Sequence, residues 1–124
     1  MNKKWTIIFA LFTIFLLTIF VLAYSGIVAT SLRHIPYYDE IGHFVLFGLF
    51  AYLGYRASNR KHFKFNNLSI PLVIFLAYIF AISEETLQLL SKNRTFSFGD
   101  MFFGLAGITF FYLLDTYFEK NHSR

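Results

Sequence analysis

The chain of 124 residues is long enough for one domain, and its hydrophobic content of 56% exceeds the ~45–50% that is usual for soluble proteins. A soluble protein of this size exposes much of its surface to water, so 18 phenylalanines and 8 tyrosines argue against a soluble fold. The absence of cysteine excludes disulfides, thiolate metal sites and thiol catalysis, and the net charge of +4 is too dispersed to predict a nucleic-acid partner.

Charged residues divide the chain into four apolar blocks. The first, Trp5–Tyr24, holds 20 residues without a charge, which is the ~20 residues that a membrane-spanning helix needs. The other three are shorter and reach that length only by including polar residues at their ends. We predict helices, because no block alternates with a period of two and a lipid-exposed backbone must satisfy its own hydrogen bonds. The predicted helices span about 5–24, 39–56, 68–90 and 99–118 of a single domain, 1–124.

The first apolar block has a second interpretation. Lys3 and Lys4 form a positive start, and Ala23-Tyr24-Ser25 resembles the cleavage site of a secretory signal peptide. The apolar core is longer than the ~7–15 residues of such a peptide, which favours an uncleaved helix. The predicted orientation of the other helices is the same in both cases.

The basic residues predict the orientation of the helices. With the amino terminus in the cytoplasm, 8 of the 11 Lys and Arg residues lie on the cytoplasmic side, as the positive-inside rule requires. We therefore predict an all-α, four-helix membrane bundle with both termini cytoplasmic. The central loop, Arg56–Asn67, would face the cytoplasm, where its basic residues and Phe63 and Phe65 suit an anionic lipid surface.

In this orientation, five of the seven carboxylates lie at the outer side of the membrane. Asp39 and His43 are four residues apart and share one helix face. Glu84 and Glu85 lie four and three residues before Gln88, so either can meet its side chain. Because neighbouring helical positions diverge by ~100°, we expect at most one of the two glutamates to face the Asp39–His43 pair.

Asp100 begins a stripe with Gly104 and Gly107, and small residues mark close contacts between transmembrane helices. This predicts that Asp100 faces the bundle, and that Arg94 in the preceding loop can fold back over the acids. Each acid alone also suits a helix end, where it can cap or charge-stabilise the first turn. Together they predict a polar site at the outer face, formed by Asp39, His43, Glu85, Gln88, Arg94 and Asp100.

Three kinds of chemistry suit this set of residues. Asp39, His43, Glu85 and Asp100 are candidate ligands for a divalent metal that activates water. The same residues are candidate catalytic groups for acid–base chemistry without a metal. Alternatively, the acids and Arg94 bind a polar ligand or headgroup without turnover. The spacing of the residues does not choose between the three.

The motifs Asp39-x-x-x-His43-Phe44, Glu85-x-x-Gln88, and Arg94 followed by Asp100 and Gly107 resemble those of the VanZ-like family. Members are small multi-helix membrane proteins, named for a protein associated with teicoplanin resistance. The family commonly has a Lys, an Asp and an Asn at the positions that Glu40, Ser97 and Gly104 occupy here. The resemblance implies a membrane protein of the bacterial cell envelope, but it does not supply a reaction.

The leading hypothesis is therefore a VanZ-like envelope protein that affects glycopeptide (teicoplanin) susceptibility or lipid-linked envelope chemistry from the outer leaflet. Its expected partners are the lipid bilayer and a lipid-linked envelope precursor or a glycopeptide. One alternative is a metal-dependent or acid–base hydrolase of a lipid-linked substrate, and another is a small structural or interaction subunit. Because four short helices enclose little volume, a homo-oligomer is a further expectation.

Overall fold

The structure is a computed structural model that describes residues 3–26, 38–90 and 98–122. Four α-helices make up most of it, and a short β-hairpin separates the second helix from the third. In chain order, the elements are α1 (Lys3–Tyr24), α2 (Tyr38–Ala57), β1 (His62–Phe65), β2 (Leu68–Pro71), α3 (Leu72–Leu87), a 3₁₀ turn (Gln88–Leu90) and α4 (Phe98–His122). The prediction of four helices is confirmed.

Three of the helical segments are long and apolar enough to cross a membrane. They are α1 (Lys3–Tyr24), α3 with its 3₁₀ turn (Leu72–Leu90), and Phe98–Asn121 of α4. Their outward faces carry large apolar side chains, such as Leu11 and Val21 on α1 and Phe102 on α4, which are more than half exposed. Such helices, apolar both inside and outside the bundle, are typical of proteins that lipid surrounds.

The β-hairpin corrects the prediction that the chain contains no strands and that a helix begins at residue 68. The strands pair antiparallel, with Phe65 opposite Leu68. Asn66 and Asn67 connect them with φ angles of 49° and 69°, and two successive positive φ angles are the signature of a type I′ turn. Asn tolerates this conformation better than most residues, so Asn-Asn can form the turn in place of the more usual Asn-Gly pair. The helix α3 therefore begins only after Pro71.

The helices α2 and α4 form the most extensive contact between elements. Glycines allow their backbones to approach closely, because a Cβ atom on Gly107 would fall on the backbone carbonyl of Phe44. A Cβ atom on Gly48 would overlap the ring of Phe111. At Gly104 the nearest side-chain atoms would lie at ordinary contact distances, of 3.5 Å and more. The predicted close approach is thus confirmed, and it is centred on Gly48 and Gly107.

A buried apolar core lies between α2, α3 and α4, and aromatic side chains from α1 and α3 extend it. The buried members are Phe47, Ala51, Tyr55, Ile74, Ala77, Ala81 and Ile108. The rings of Phe20, Phe47, Phe50 and Phe80 pack at centroid distances of 5.3–6.0 Å. Small residues of α2 and α3 thus pack against large rings in this core.

A network of ion pairs joins the carboxyl end of α2 to α4. Its centre is the fully buried Asp115, and the network, here termed the Asp115 cluster, comprises Asp115, Arg56, Arg60 and Glu119. Arg56 Nη1 donates to Asp115 Oδ1 at 2.9 Å, and Arg60 Nε donates to Asp115 Oδ2 at 2.9 Å. Arg60 Nε also lies 2.6 Å from Glu119 Oε2. The hydrogen bond to Asp115 raises the pKa of the Arg60 guanidinium, which therefore stays charged.

Candidate functional site

A second group of buried polar side chains lies at the opposite end of α2 from the Asp115 cluster. It is here termed the His43 cluster and comprises His43, Glu84, Glu85 and Gln88, with Asp39 and Asp100 beside them. His43 belongs to the second turn of α2, the two glutamates to the last turn of α3, and Asp100 to the first turn of α4. Glu85 is fully buried, and only 8% of His43 is exposed.

The imidazole of His43 is held in one orientation by its own helix. Nδ1 lies 2.7 Å from the backbone oxygen of Asp39, and since a carbonyl oxygen can only accept, Nδ1 carries the proton and donates it. The ring also stacks on Phe47, with centroids 5.6 Å apart. Nε2 therefore points toward α3, where it lies 3.3 Å from Glu85 Oε2 and 3.5 Å from Glu84 Oε2.

Both glutamates contact His43, so the prediction that at most one of them would do so was wrong. The backbone positions of Glu84 and Glu85 diverge around the helix, but each side chain has three rotatable bonds, and the two carboxylates converge on the imidazole between them. The sequence analysis placed Glu85 in the site and left Glu84 out. The four-residue spacing from Glu84 to Gln88 was the signal that could have included it.

Glu84 is further positioned by two neighbours. Gln88 Nε2 donates a hydrogen bond of 2.8 Å to Glu84 Oε1. The hydroxyl of Tyr24, at the end of α1, lies 3.3 Å from the same oxygen and 3.3 Å from the backbone oxygen of Glu84. The sequence analysis did not include Tyr24, because no motif linked α1 to the acids. Three helices therefore contribute to the placement of one carboxylate.

Asp100 and Asp39 lie on the other side of His43. The predicted stripe on α4 is confirmed: Asp100 is buried, and a Cβ atom on Gly104 would lie 3.9 Å from His43 Cβ. Asp39 is partly buried and, with His43 and Asp100, offers ligand atoms within 4.8 Å of one another. The remaining predicted residue, Arg94, lies outside the described residues, as does Ser97.

The His43 cluster has the composition and geometry of a cation site. Two sets of three side chains each bring potential ligand atoms within 4.8 Å of one another, and His43 belongs to both. One set is His43, Glu84 and Glu85, and the other is Asp39, His43 and Asp100. An imidazole with carboxylates suits divalent ions such as Mn²⁺ and Zn²⁺. A ligand histidine usually donates its second ring N–H to a carboxylate or a backbone carbonyl, as His43 does here.

Gln88 provides a second polar atom at the same place. Its side chain is 1% exposed, and its Oε1 has no hydrogen-bond partner within the described ranges. A buried amide oxygen is stabilised by a donor or a cation, and without one its desolvation costs ~1–3 kcal/mol. Gln88 therefore orients Glu84 through its amide nitrogen, and its amide oxygen is available to accept a hydrogen bond.

The fold and the cluster define a helical protein with apolar helices and a buried His–carboxylate site. No protein-family model, no curated protein and no solved structure matches this chain. Inferences about its activity therefore depend on the side-chain geometry and on the motif spacing.

Proposed function

We propose that this chain is an integral membrane protein of the bacterial cell envelope that binds a divalent cation at the His43 cluster. The observation that carries the proposal is the geometry of His43, whose Nδ1 is held by the Asp39 carbonyl while Nε2 faces Glu84 and Glu85. Two carboxylates close to one imidazole repel each other when both are charged, and a divalent cation bound between them relieves that repulsion.

In this proposal both termini are cytoplasmic and the His43 cluster lies at the extracytoplasmic end of the bundle. The excess of Lys and Arg in the cytoplasmic segments supports this orientation. The position of Arg56 and Arg60 at the far end of α2 from His43 is consistent with it. A reporter that works only in the cytoplasm should be active when it is fused to the carboxyl terminus. An extracytoplasmic carboxyl terminus would instead place the His43 cluster on the cytoplasmic side.

We further propose that the protein acts as a VanZ-like protein, influencing teicoplanin susceptibility or lipid-linked envelope chemistry. Support comes from the motif residues, because Asp39, His43, Glu85 and Asp100 belong to three helices, yet the ligand atoms of the other three lie close to those of His43. Deletion of the gene should change the minimal inhibitory concentration of teicoplanin, and a His43→Ala copy should fail to restore it where a wild-type copy succeeds.

Hydrolysis of a lipid-linked substrate is the second candidate function, and the convergence of two carboxylates on one imidazole favours it. A divalent cation held by His43, Glu84 and Glu85 would supply a Lewis acid for a substrate oxygen. The chain's own groups would supply the proton transfer, since a carboxylate within reach of an imidazole can accept a proton from water. The Asp39 carbonyl would orient the imidazole through Nδ1, and Gln88 would hold Glu84 in place.

Metal content of the purified protein tests the proposal. Protein in detergent is loaded with Mn²⁺ or Zn²⁺, washed, and measured by elemental mass spectrometry. We expect near-stoichiometric metal in the wild type and its loss in His43→Ala, because that variant removes the ligand common to both sets.

The matched control is His62→Ala. His62 is an exposed histidine of the hairpin. Its replacement shows whether removal of a histidine outside the His43 cluster also lowers the metal content. Retention of metal in His62→Ala together with its loss in His43→Ala supports the site. A wild-type protein that stays folded and holds no metal after loading would overturn the cation proposal.

A further inference from the structure

An open cleft of about 410 Å³ lies between α1 and α3, beside the His43 cluster. Four large apolar side chains line it, namely Phe20, Phe80, Leu87 and Leu90. The volume falls within the ~300–1,000 Å³ of pockets that bind small molecules. Its polar lining residues are Tyr24, Ser83 and Glu84, and Tyr24 contacts Glu84 across the gap between the helices.

Glu84 belongs both to the cleft and to the candidate cation site. One carboxylate oxygen, Oε2, lies 3.5 Å from His43 Nε2, and the other, Oε1, accepts hydrogen bonds from Gln88 and Tyr24. A molecule in the cleft would therefore have its apolar part against Phe20, Phe80 and Leu87 and its polar end at the His43 cluster. The cleft and the cluster form one amphiphilic site.

We infer that this cleft binds the hydrocarbon chain of a lipid phosphate, whose phosphate group reaches a divalent cation at the His43 cluster; the inference rests on the proposed function for that cation. The walls belong to two segments that are long and apolar enough to cross a membrane, so the cleft opens toward hydrocarbon. Leu87 and Leu90, at its rim, are 55% and 83% exposed, which gives an acyl or prenyl chain a lateral entrance.

Charge complementarity selects a phosphate as the head of this ligand once the cation is present. Three protein ligands leave coordination positions open at a divalent ion, and phosphate oxygens are common occupants of such positions. Without the cation, Glu84 and Glu85 repel a phosphate and instead favour an amine. Binding of the lipid phosphate is thus coupled to binding of the metal, and each increases the affinity of the protein for the other.

Photolabelling with a defined amphiphile tests the inference. The probe is hexadecyl phosphate with a diazirine in the middle of its chain, added to the full chain in phosphatidylcholine nanodiscs, and the labelled peptides are identified by mass spectrometry. We expect labels on the Phe80–Leu90 segment, and we expect Mn²⁺ to increase them about tenfold over a sample treated with EDTA. Hexadecylamine carrying the same diazirine should show no increase with Mn²⁺.

Two variants separate the cleft from the cation site. Leu87→Trp fills the cleft from its rim, and we expect it to lose the labelling while keeping its metal. Leu89→Trp is the matched control, since Leu89 is exposed on the same segment but does not line the cleft, and it should label like the wild type.

The outcomes distinguish failure of the inference from failure of the proposed function. A protein that binds metal but is not labelled, or is labelled equally in Leu87→Trp, overturns the lipid-phosphate inference alone. A protein that binds no metal and is labelled better by the amine overturns both. Labelling that depends on Mn²⁺ and is lost in Leu87→Trp and in His43→Ala supports both.

Discussion

Buried carboxylates of α3 and α4 lie beside the two ends of α2, in very different surroundings. At one end, Asp115 accepts charge-assisted hydrogen bonds from Arg56 and Arg60 at 2.9–3.1 Å. At the other end, one imidazole lies 3.3 and 3.5 Å from two glutamates. In the first cluster, two permanently charged guanidinium groups contact one central carboxylate. In the second, a single titratable imidazole faces two carboxylates.

This difference separates a structural role from a binding role. Arg56 and Arg60 are always charged, and Arg56 also stacks over Trp5 at 4.5 Å, so the Asp115 cluster ties α1, α2 and α4 together without a ligand. The groups of the His43 cluster can exchange protons or bind a cation. About 20 Å of helix separates the clusters, since His43 and Arg56 are 13 positions apart at ~1.5 Å per residue. Each cluster can therefore be perturbed alone.

The largest expected effect is that of Gly107→Ala, which disturbs both clusters together. Gly107 lies between Asp100 and Asp115 on α4, and its new Cβ atom would fall on the carbonyl of Phe44. Because backbone cannot move aside as a side chain can, we expect α2 and α4 to separate at a cost of about 3 kcal/mol or more. Thermal unfolding in detergent should show a lower midpoint, and metal content should fall as well.

The matched control is Gly42→Ala, on the same pair of helices. No atom of the described residues outside its local backbone lies within 4 Å of a Cβ atom at this position. Alanine is the better helix former, so this variant should be stabilised by about 0.5–1 kcal/mol. Equal stability of the two variants would contradict the close packing on which the relative placement of both clusters depends.

Sequence periodicity predicted the helices and the stripe of Asp100, Gly104 and Gly107 because those features repeat along single helices. The hairpin was missed because its turn depends on two positive φ angles at Asn66 and Asn67, which Asn adopts only under local constraint. The pairing of Asp115 with Arg56 was missed for a different reason. A contact between residues 59 positions apart depends on how α2 packs against α4, and periodicity carries no information about that packing.

The His43 cluster likewise contains contacts that the sequence predicts and contacts that it does not predict. The pairing of Asp39 with His43 follows from helical spacing, and so does that of Glu84 with Gln88. The contact of both glutamates with His43 depends on how α3 packs against α2. Spacing along one helix carries no information about that packing. Local geometry was therefore predictable, and the convergence of both glutamates on one imidazole was not.

The next effect in size is that of Asp115→Asn, which tests the structural end of the comparison. The substitution leaves two guanidinium groups facing a neutral amide at a fully buried position. Breaking a buried pair costs ~3–5 kcal/mol, and because Arg56 and Arg60 are about a quarter exposed, we expect about 2–3 kcal/mol. The unfolding midpoint should fall while metal content stays unchanged, and a loss of metal would show that the clusters are coupled.

The smallest effect on stability is expected from Glu85→Gln, which makes the same chemical change at the other end of α2. The amide keeps the shape of the side chain and removes one of the two carboxylates beside His43. The repulsion between Glu84 and Glu85 is lost, and so is the ionic contact of Glu85 with His43, so the two effects oppose each other. We expect the free energy of unfolding of the metal-free protein to change by less than about 1 kcal/mol. Metal content should nevertheless fall to background, because a ligand of the proposed cation is gone.

Glu40→Gln is the matched control for this variant, since Glu40 lies in the first turn of α2 and belongs to neither candidate ligand set. It should keep both stability and metal. If Glu85→Gln instead lost as much stability as Asp115→Asn and still bound metal, the His43 cluster would be a second structural lock. The difference between the two ends of α2 would then lie only in the identity of the cation, imidazolium at one end and guanidinium at the other.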